Sequence, residues 1–119
     1  MTRVPGSLDR WEGRPVEEWA RRWGVPHVEA YDELPSTNER LRVLAEAGAA
    51  HFTVVTADCQ TAGKGRGGKR WDSPRGMGLW ISFLVRGDPE VPPTLVPILV
   101  GLAATRALER LCPSLRPGI

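Results

Sequence analysis

The sequence predicts an α/β fold, and three observations carry that expectation. Strand and helix signals alternate from Val28 to Leu111. The chain has 119 residues, which allows one domain or a piece of one. Its hydrophobic content of 41% is ordinary for a globular protein.

The elements follow in order. Met1 to Arg14 reads as a polar lead-in containing Gly and Pro. Pro15 to Trp23 reads as a short helix, because Val16, Trp19, Ala20 and Trp23 fall at i, i+3, i+4 and i+7. Pro15 suits the first turn, Glu17 and Glu18 suit the helix dipole, and Gly24 and Pro26 stop it. Its two tryptophans are expected to pack onto the main domain. Residues 1–26 are thus set apart from 27–119. His27 to Asp32 is a candidate strand that feeds Leu34 and Pro35. Ser36 and Glu39 then form an S-x-x-E capping box ahead of Leu41, Leu44 and Ala45. A helix from Thr37 to Ala47, closed by Gly48, follows. Phe52 to Ala57 is short and β-rich, so it reads as a buried strand whose end delivers Gln60. In Gly78 to Arg86, Leu79, Ile81, Phe83 and Val85 alternate with Trp80, Ser82, Leu84 and Arg86, the period of a strand. Gly87, Asp88 and Pro89 turn the chain. Leu95 to Leu111 reads as a largely buried helix, with Pro97 tolerated in its first turn and Pro113 beyond its end. Arg106, Glu109 and Arg110 mark its wet side.

Several function classes are disfavoured by composition. Cys59 and Cys112 give neither a disulfide framework nor a metal spacing. His27 and His51 lack ligand partners at metal spacing, so no metal site is expected. The longest apolar run, Leu95 to Ala104, contains Pro97 and is too short to span a bilayer. No basic-then-apolar leader opens the chain, and the cytoplasm is the expected compartment. A net charge of +2 is too small to argue for nucleic acid by itself.

The charge is unevenly spread. Cys59 to Gly76 holds five of the sixteen basic residues and one of the fourteen acidic ones. Its net charge is +4, against −2 for the rest of the chain. Glycine beside cations describes a loop that closes over an anion. Gly63, Gly68 and Lys69 fit a P-loop spacing, but Arg70 stands where Ser or Thr must hold magnesium. Gly63, Gly65 and Gly68 fit a dinucleotide fingerprint, but no helix can open before Pro74. A solvated basic loop touching nucleic acid remains open at this point.

The longer pattern is more specific. Gly63-Lys64-Gly65-Arg66-Gly67-Gly68, then Trp71, Ser73-Pro74, Gly76, Leu79 and Ser82, resembles the signature loop of biotin protein ligases. That signature reads roughly G-[RK]-G-R-x-G-x-x-W-x-S-P-x-G-x-x-L-x-x-S, and every fixed position is present at its own spacing. The resemblance extends upstream to Ser36-Thr37-Asn38 and Gln60, and it covers about Tyr31 to the C-terminus.

The resemblance implies a mixed β-sheet flanked by helices, with the helices on one face. This is the biotin/lipoate ligase catalytic fold, which resembles class II aminoacyl-tRNA synthetases. It implies ATP-dependent activation of biotin to biotinyl-5'-AMP, then transfer to a lysine of a biotin carboxyl carrier protein. Biotin and ATP are the substrates, with Mg2+ accompanying the ATP. By resemblance, Ser36, Thr37, Asn38, Gln60, Gly63, Lys64, Gly65 and Arg66 contact biotin. Arg66, Lys69, Arg70 and Trp71 serve ATP or the adenylate, and Arg66 supports catalysis. Without ligand, Gly63 to Arg70 is expected to be irregular, with Trp71 its first fixed point. Many family members carry Arg at the positions of Lys64 and Lys69; Lys keeps the charge and loses the bidentate fork. The family's Lys-Trp-Pro-Asn-Asp motif would lie beyond Ile119. Residues 27–119 therefore read as part of a catalytic domain, of the kind without a DNA-binding module. The chain alone is expected to be poorly stable and to adenylate little biotin. A homodimer is compatible with this reading; DNA and membrane partners are not expected. Lipoate ligases share the fold and the acyl-adenylate chemistry but lack this pattern, and a nucleic-acid-binding module stands third.

Overall fold

The computed structural model describes residues 5–118. The chain divides into two compact units, the first ending at Arg86 and the second beginning at Gly87.

The first unit is built on a mixed sheet. Strand β1 (Ser7–Leu8) is followed by a small hairpin of β2 (Arg10–Trp11) and β3 (Arg14–Pro15), then helix α1 (Val16–Trp23). Strand β4 (Val28–Leu34), helix α2 (Thr37–Glu46) and strand β5 (Val54–Lys64) come next, then β6 (Arg70–Ser73) and β7 (Trp80–Phe83). β4 and β5 pair in parallel, joined by α2. β1 pairs antiparallel with β4, and β6 and β7 each pair antiparallel with β5.

The segment read as a lead-in contributes to this architecture. Ser7 and Leu8 pair with Tyr31 and Ala30, adding a strand to the sheet. The hairpin turns through Glu12 and Gly13, at φ 47° and 76°. Two successive positive φ values are the geometry a two-residue hairpin turn demands. Trp11 is 8% exposed and donates Nε1–H to Asp58 Oδ1 at 2.9 Å. Trp19 of α1 donates to the Trp11 carbonyl at 2.7 Å, and the three rings of Trp11, Trp19 and Trp23 pack within 5.3 to 6.1 Å of one another. The tryptophans of α1 thus reach the sheet through a third one, Trp11. Gly24, at φ 67°, ends the helix.

α2 covers the other side. Its Leu41 packs with Tyr31, Leu34, Val55 and Ala57. Ala30 and Thr56, which alternate with Tyr31 and Val55 along their strands, are wholly buried too. Asp58, next to Ala57, faces the Trp11 cluster. The helices therefore do not share one face, as the resemblance implied; the sheet is covered on both sides. A βαβ unit commonly requires this, because its strands lie between layers.

Two expectations about β-structure need correction. β5 runs eleven residues to Lys64, well past Ala57. The expectation of an irregular Gly63 to Arg70 holds only for its middle: Gly63 pairs with Trp71 and Lys64 with Arg70, while Gly65 to Lys69 form a tight turn in which Gly67 is not helical. Gly67 and Gly68 take positive φ to close it, and Gly65 N–H donates to the Lys69 carbonyl at 2.7 Å. Antiparallel pairing satisfies the backbone that an open loop would leave to water. β7 is shorter than Gly78 to Arg86, although Leu84 N–H still donates to the Thr53 carbonyl at 2.8 Å. Arg86 instead caps α2, donating to the Ala45 and Ala49 carbonyls at 3.0 and 2.6 Å. His51 Nδ1 accepts the Arg86 N–H at 2.9 Å.

The second unit contains a 3-10 turn at Pro93–Leu95 and helix α3 (Val96–Leu111). The helix starts one residue after the expected Leu95 and ends at Leu111 as expected, but none of its residues is buried, contrary to the expectation of a largely buried helix. A single helix and one turn offer nothing within the unit to cover an apolar face.

Candidate functional site

The site begins where β4 hands over to α2. Ser36 is extended, at φ −161° and ψ 129°, and its Oγ accepts the Glu39 N–H at 3.3 Å. Capping turns the first free N–H groups of the helix toward the ends of the parallel strands. Thr37 is the first residue inside the helix, and its N–H donates to Gln60 Oε1 at 2.8 Å. Gln60 sits opposite Leu34 in the sheet, so the strand register delivers it to the helix start.

A polar network grows from this meeting. Thr37 Oγ1 donates to Gln60 Oε1 at 3.1 Å and lies 2.7 Å from Ser82 Oγ. Ser82 Oγ donates to Asn38 Oδ1 at 2.6 Å. Gln60 Nε2 donates to Ser73 Oγ at 3.0 Å. Ser36, Thr37, Ser73 and Ser82 are all buried. The hydroxyls of Thr37 and Ser82 make three contacts with two protons, because each hydroxyl carries one. The Asn38 amide, turned to present Nδ2 to Ser82 Oγ, supplies the third proton, and among the described residues no buried side-chain nitrogen or oxygen lacks a partner.

The network forms one wall of a cavity of about 300 Å³. Lys64 of β5, Trp71 of β6 and Leu79 to Ile81 complete the lining. Trp71 is 64% exposed, an open aromatic face beside the polar wall. Gly63 stands behind Gln60: a Cβ there would lie 2.9 Å from Gln60 Nε2 and from Ser73 Oγ, and 2.8 Å from the Trp71 carbonyl. Lys64 Nζ lies 3.0 Å from Glu39 Oε1. The Lys64 hydrogen bond, opposed by slight burial and aided by the Arg42 and Lys64 charges, holds the Glu39 carboxyl below its usual range.

Of the residues singled out in the sequence, Ser36, Thr37, Asn38, Gln60, Lys64 and Trp71 line this cavity, and Gly63 backs it. Gly65, Arg66, Lys69 and Arg70 are outside the lining, along the hairpin turn, with Arg66, Lys69 and Arg70 exposed. Ser73 and Ser82 were visible only as fixed letters of the signature, and Trp80 and Ile81 were not singled out for the site. Their positions on antiparallel partners of β5 are the signal that brings them here.

A second buried cluster braces α2. Glu29 of β4 is 5% exposed and receives Arg40 Nε at 2.8 Å and Nη2 at 3.1 Å, with the Tyr31 hydroxyl also bonded to it. His27 Nε2 stands 3.5 Å away. Burial pushes the Glu29 carboxyl up, but the bonds from Arg40 and Tyr31 and the charges of Arg40 and His27 outweigh it and leave it below the usual carboxylate range. Burial, together with Glu29, pushes the Tyr31 hydroxyl up to about 12.

Comparison with known proteins fits this geometry. Residues 32–119 match the model of the biotin/lipoate A/B protein ligase family. The bifunctional ligase/repressor BirA of Bacillus subtilis is 39% identical over 83 residues, which is 70% of this chain and 25% of that protein. Its counterpart from Bacillus spizizenii is 37% identical over the same share of both. Among solved structures, biotin protein ligase from Aquifex aeolicus in complex with biotin and ATP superposes with a TM-score of 0.61 at 35% identity. That match covers 71% of this chain and 35% of the other. The Leishmania major ligase in complex with biotinyl-5-AMP gives a TM-score of 0.58 at 33% identity, over 72% of this chain and 35% of the other. The chain spans about a quarter of the length of these curated relatives and about a third of the solved ones. With a family match over most of its length and a mixed sheet flanked by helices like those of the solved ligases, this chain belongs to the biotin/lipoate A/B protein ligase family.

Proposed function

We propose that this chain serves the ATP-dependent activation of biotin to biotinyl-5'-AMP and the transfer of biotin to a lysine of a biotin carboxyl carrier protein. The observation that carries this reading is the Thr37–Gln60–Ser73 and Thr37–Ser82–Asn38 network at one end of a cavity whose other parts are Lys64 and Trp71. The amide and hydroxyl groups of this network can both donate and accept, and the ureido ring of biotin offers two N–H groups and a carbonyl to match them. Trp71 offers an apolar face to the rest of the molecule, and the Lys64 ammonium suits its carboxylate. The biotin, ATP and biotinyl-5-AMP bound by the solved neighbours favour this ligand over lipoate.

In the first step a biotin carboxylate oxygen attacks the α-phosphorus of ATP. The P–O bond to pyrophosphate breaks, and the mixed anhydride remains. An anionic nucleophile must approach a polyanion, so fixed cations and aimed N–H groups lower the barrier. Lys64 serves at the cavity, while Arg66, Lys69 and Arg70, exposed on the hairpin turn, would reach the phosphates, with Mg2+ arriving on the ATP. Arg66 supports the adenylate once the turn folds over it, and Gly65 keeps that turn close to the indole of Trp71, where a Cβ would meet Nε1 at 3.0 Å. In the second step a lysine amine attacks the anhydride carbonyl, an amide forms and AMP leaves. Residues 27–119 contribute this part of the catalytic domain, working in the cytoplasm. Among the described residues, no helix is long and apolar enough to cross a membrane.

The test is a titration with biotin and with biotinyl-5'-AMP, followed by tryptophan fluorescence and calorimetry. Saturable binding of both, lost in Trp71→Ala and in Gln60→Ala, is the expected result. A folded chain that binds neither ligand at millimolar concentration would remove the assignment.

A further inference from the structure

The capping box read from the sequence closes on one side only in the way expected. The Glu39 N–H reaches Ser36 Oγ, but the Glu39 carboxylate spans outward to Lys64 Nζ at 3.0 Å and to Arg42 Nη2 at 2.8 Å. Glu39 belongs to the first turn of α2, and Lys64 is the last residue of β5. Their ion pair therefore ties the helix wall of the cavity to the base of the hairpin. Lys64 is the cationic residue of the described lining, and Arg40 on the same helix turn is already committed to Glu29. An anion entering the cavity meets an ammonium that already has a carboxylate partner.

We propose that Glu39 is a built-in competitor for the Lys64 ammonium, which an anionic ligand must displace before Lys64 can hold it. This inference rests on the biotin reading above. The ligand's carboxylate then exchanges one ion pair for another. The net gain is small while Glu39 is charged, and binding leans on the polar wall and Trp71.

The experiment compares biotin with biotinamide, whose side chain ends in a neutral amide. Glu39→Gln keeps the shape and removes the charge. It is expected to tighten biotin binding about two- to five-fold at low salt and to leave biotinamide unchanged. The gain should vanish in a Lys64→Met background, and Arg42→Gln should produce none. A gain that persists without Lys64, or that extends equally to biotinamide, would overturn the competition, as would no gain at all. Failure of the biotin reading looks different, since wild-type protein would then bind neither compound. The pair is also read without any ligand, from the NMR titration of the Glu39 carboxyl carbon. Lys64→Met should raise its pKa toward the ordinary value; an unchanged titration would sink the competition whatever biotin does.

Discussion

At Gly63 the backbone approaches other groups more closely than any side chain would allow. A Cβ would strike the Trp71 carbonyl, Gln60 Nε2 and Ser73 Oγ, all within 2.9 Å. The residue is buried and its φ is not left-handed, so space, not backbone conformation, excludes a larger residue. Gly63→Ala must push Gln60 away from Thr37 or separate β5 from β6. The expected loss is about 1–3 kcal/mol of stability, by overpacking, and about tenfold or more in biotin affinity. Calorimetry beside urea unfolding measures both; undiminished biotin affinity in a folded alanine variant would show that the Gln60 position is not needed. At this scale the sequence was informative where a motif fixed a letter. Ser36, Thr37, Asn38 and Gln60 were each ambiguous alone, since Ser36 caps a helix whatever else it does. Their convergence depends on strand register, which a residue's own letter does not encode. Ser73 and Ser82 remained letters until pairing with β5 turned them toward Gln60 and Thr37.

Between elements, the Glu29–Arg40 pair holds α2 against β4. It fixes the helix whose first turn supplies Thr37 and Asn38. Removing the cation leaves a buried carboxylate with only the Tyr31 hydroxyl and the nearby His27, so Arg40→Met should cost about 3 kcal/mol at neutral pH, the low end for a broken buried pair. The pH dependence follows from the sign of the Glu29 shift. Its folded pKa lies below the ordinary value, so the pair's contribution is complete above about pH 4.5 and is lost as pH falls through the folded pKa. Urea unfolding between pH 7 and pH 3 should show an acid limb that flattens in Arg40→Met; an identical slope in both proteins would assign the acid loss to other carboxylates. The long periodic elements were legible in advance. α1, α2 and α3 were marked by apolar spacing and stop residues, and the start of β5 by its β-branched run of Val54, Val55 and Thr56. The strands of two residues near the N-terminus are too short to show a period. The hairpin of β5 and β6 was hidden by its own glycines and cations, which resemble those of an open loop. Cross-strand pairing overrode that local preference.

At the scale of the whole chain, the two units differ in what supports them. β4 and β5 carry wholly buried residues, Ala30, Val55 and Thr56 among them. α3 carries Ile98, Leu99 and Leu102 exposed by 65%, 50% and 42%, and buries nothing. Exposed apolar surface of this kind does not stabilise a helix, whose strength in proteins comes mainly from packing. Sixteen residues are only just long enough to hold a helix in water, and Gly101 weakens it by about 1 kcal/mol. Amides of α3 are therefore expected to exchange with solvent at least about a hundredfold faster than those of Val54 to Ala57, whose opening requires disrupting the sheet. Hydrogen exchange read by mass spectrometry on the 119-residue chain makes that comparison directly. The double variant Ile98→Glu, Leu102→Glu should lessen self-association in sedimentation while leaving protection of β4 and β5 unchanged, because neither residue belongs to their core. Equal protection of α3 and β5 would mean that the apolar face is covered in solution and that both units open together. A loss of β5 protection in the double variant would place the same face within the cooperative core.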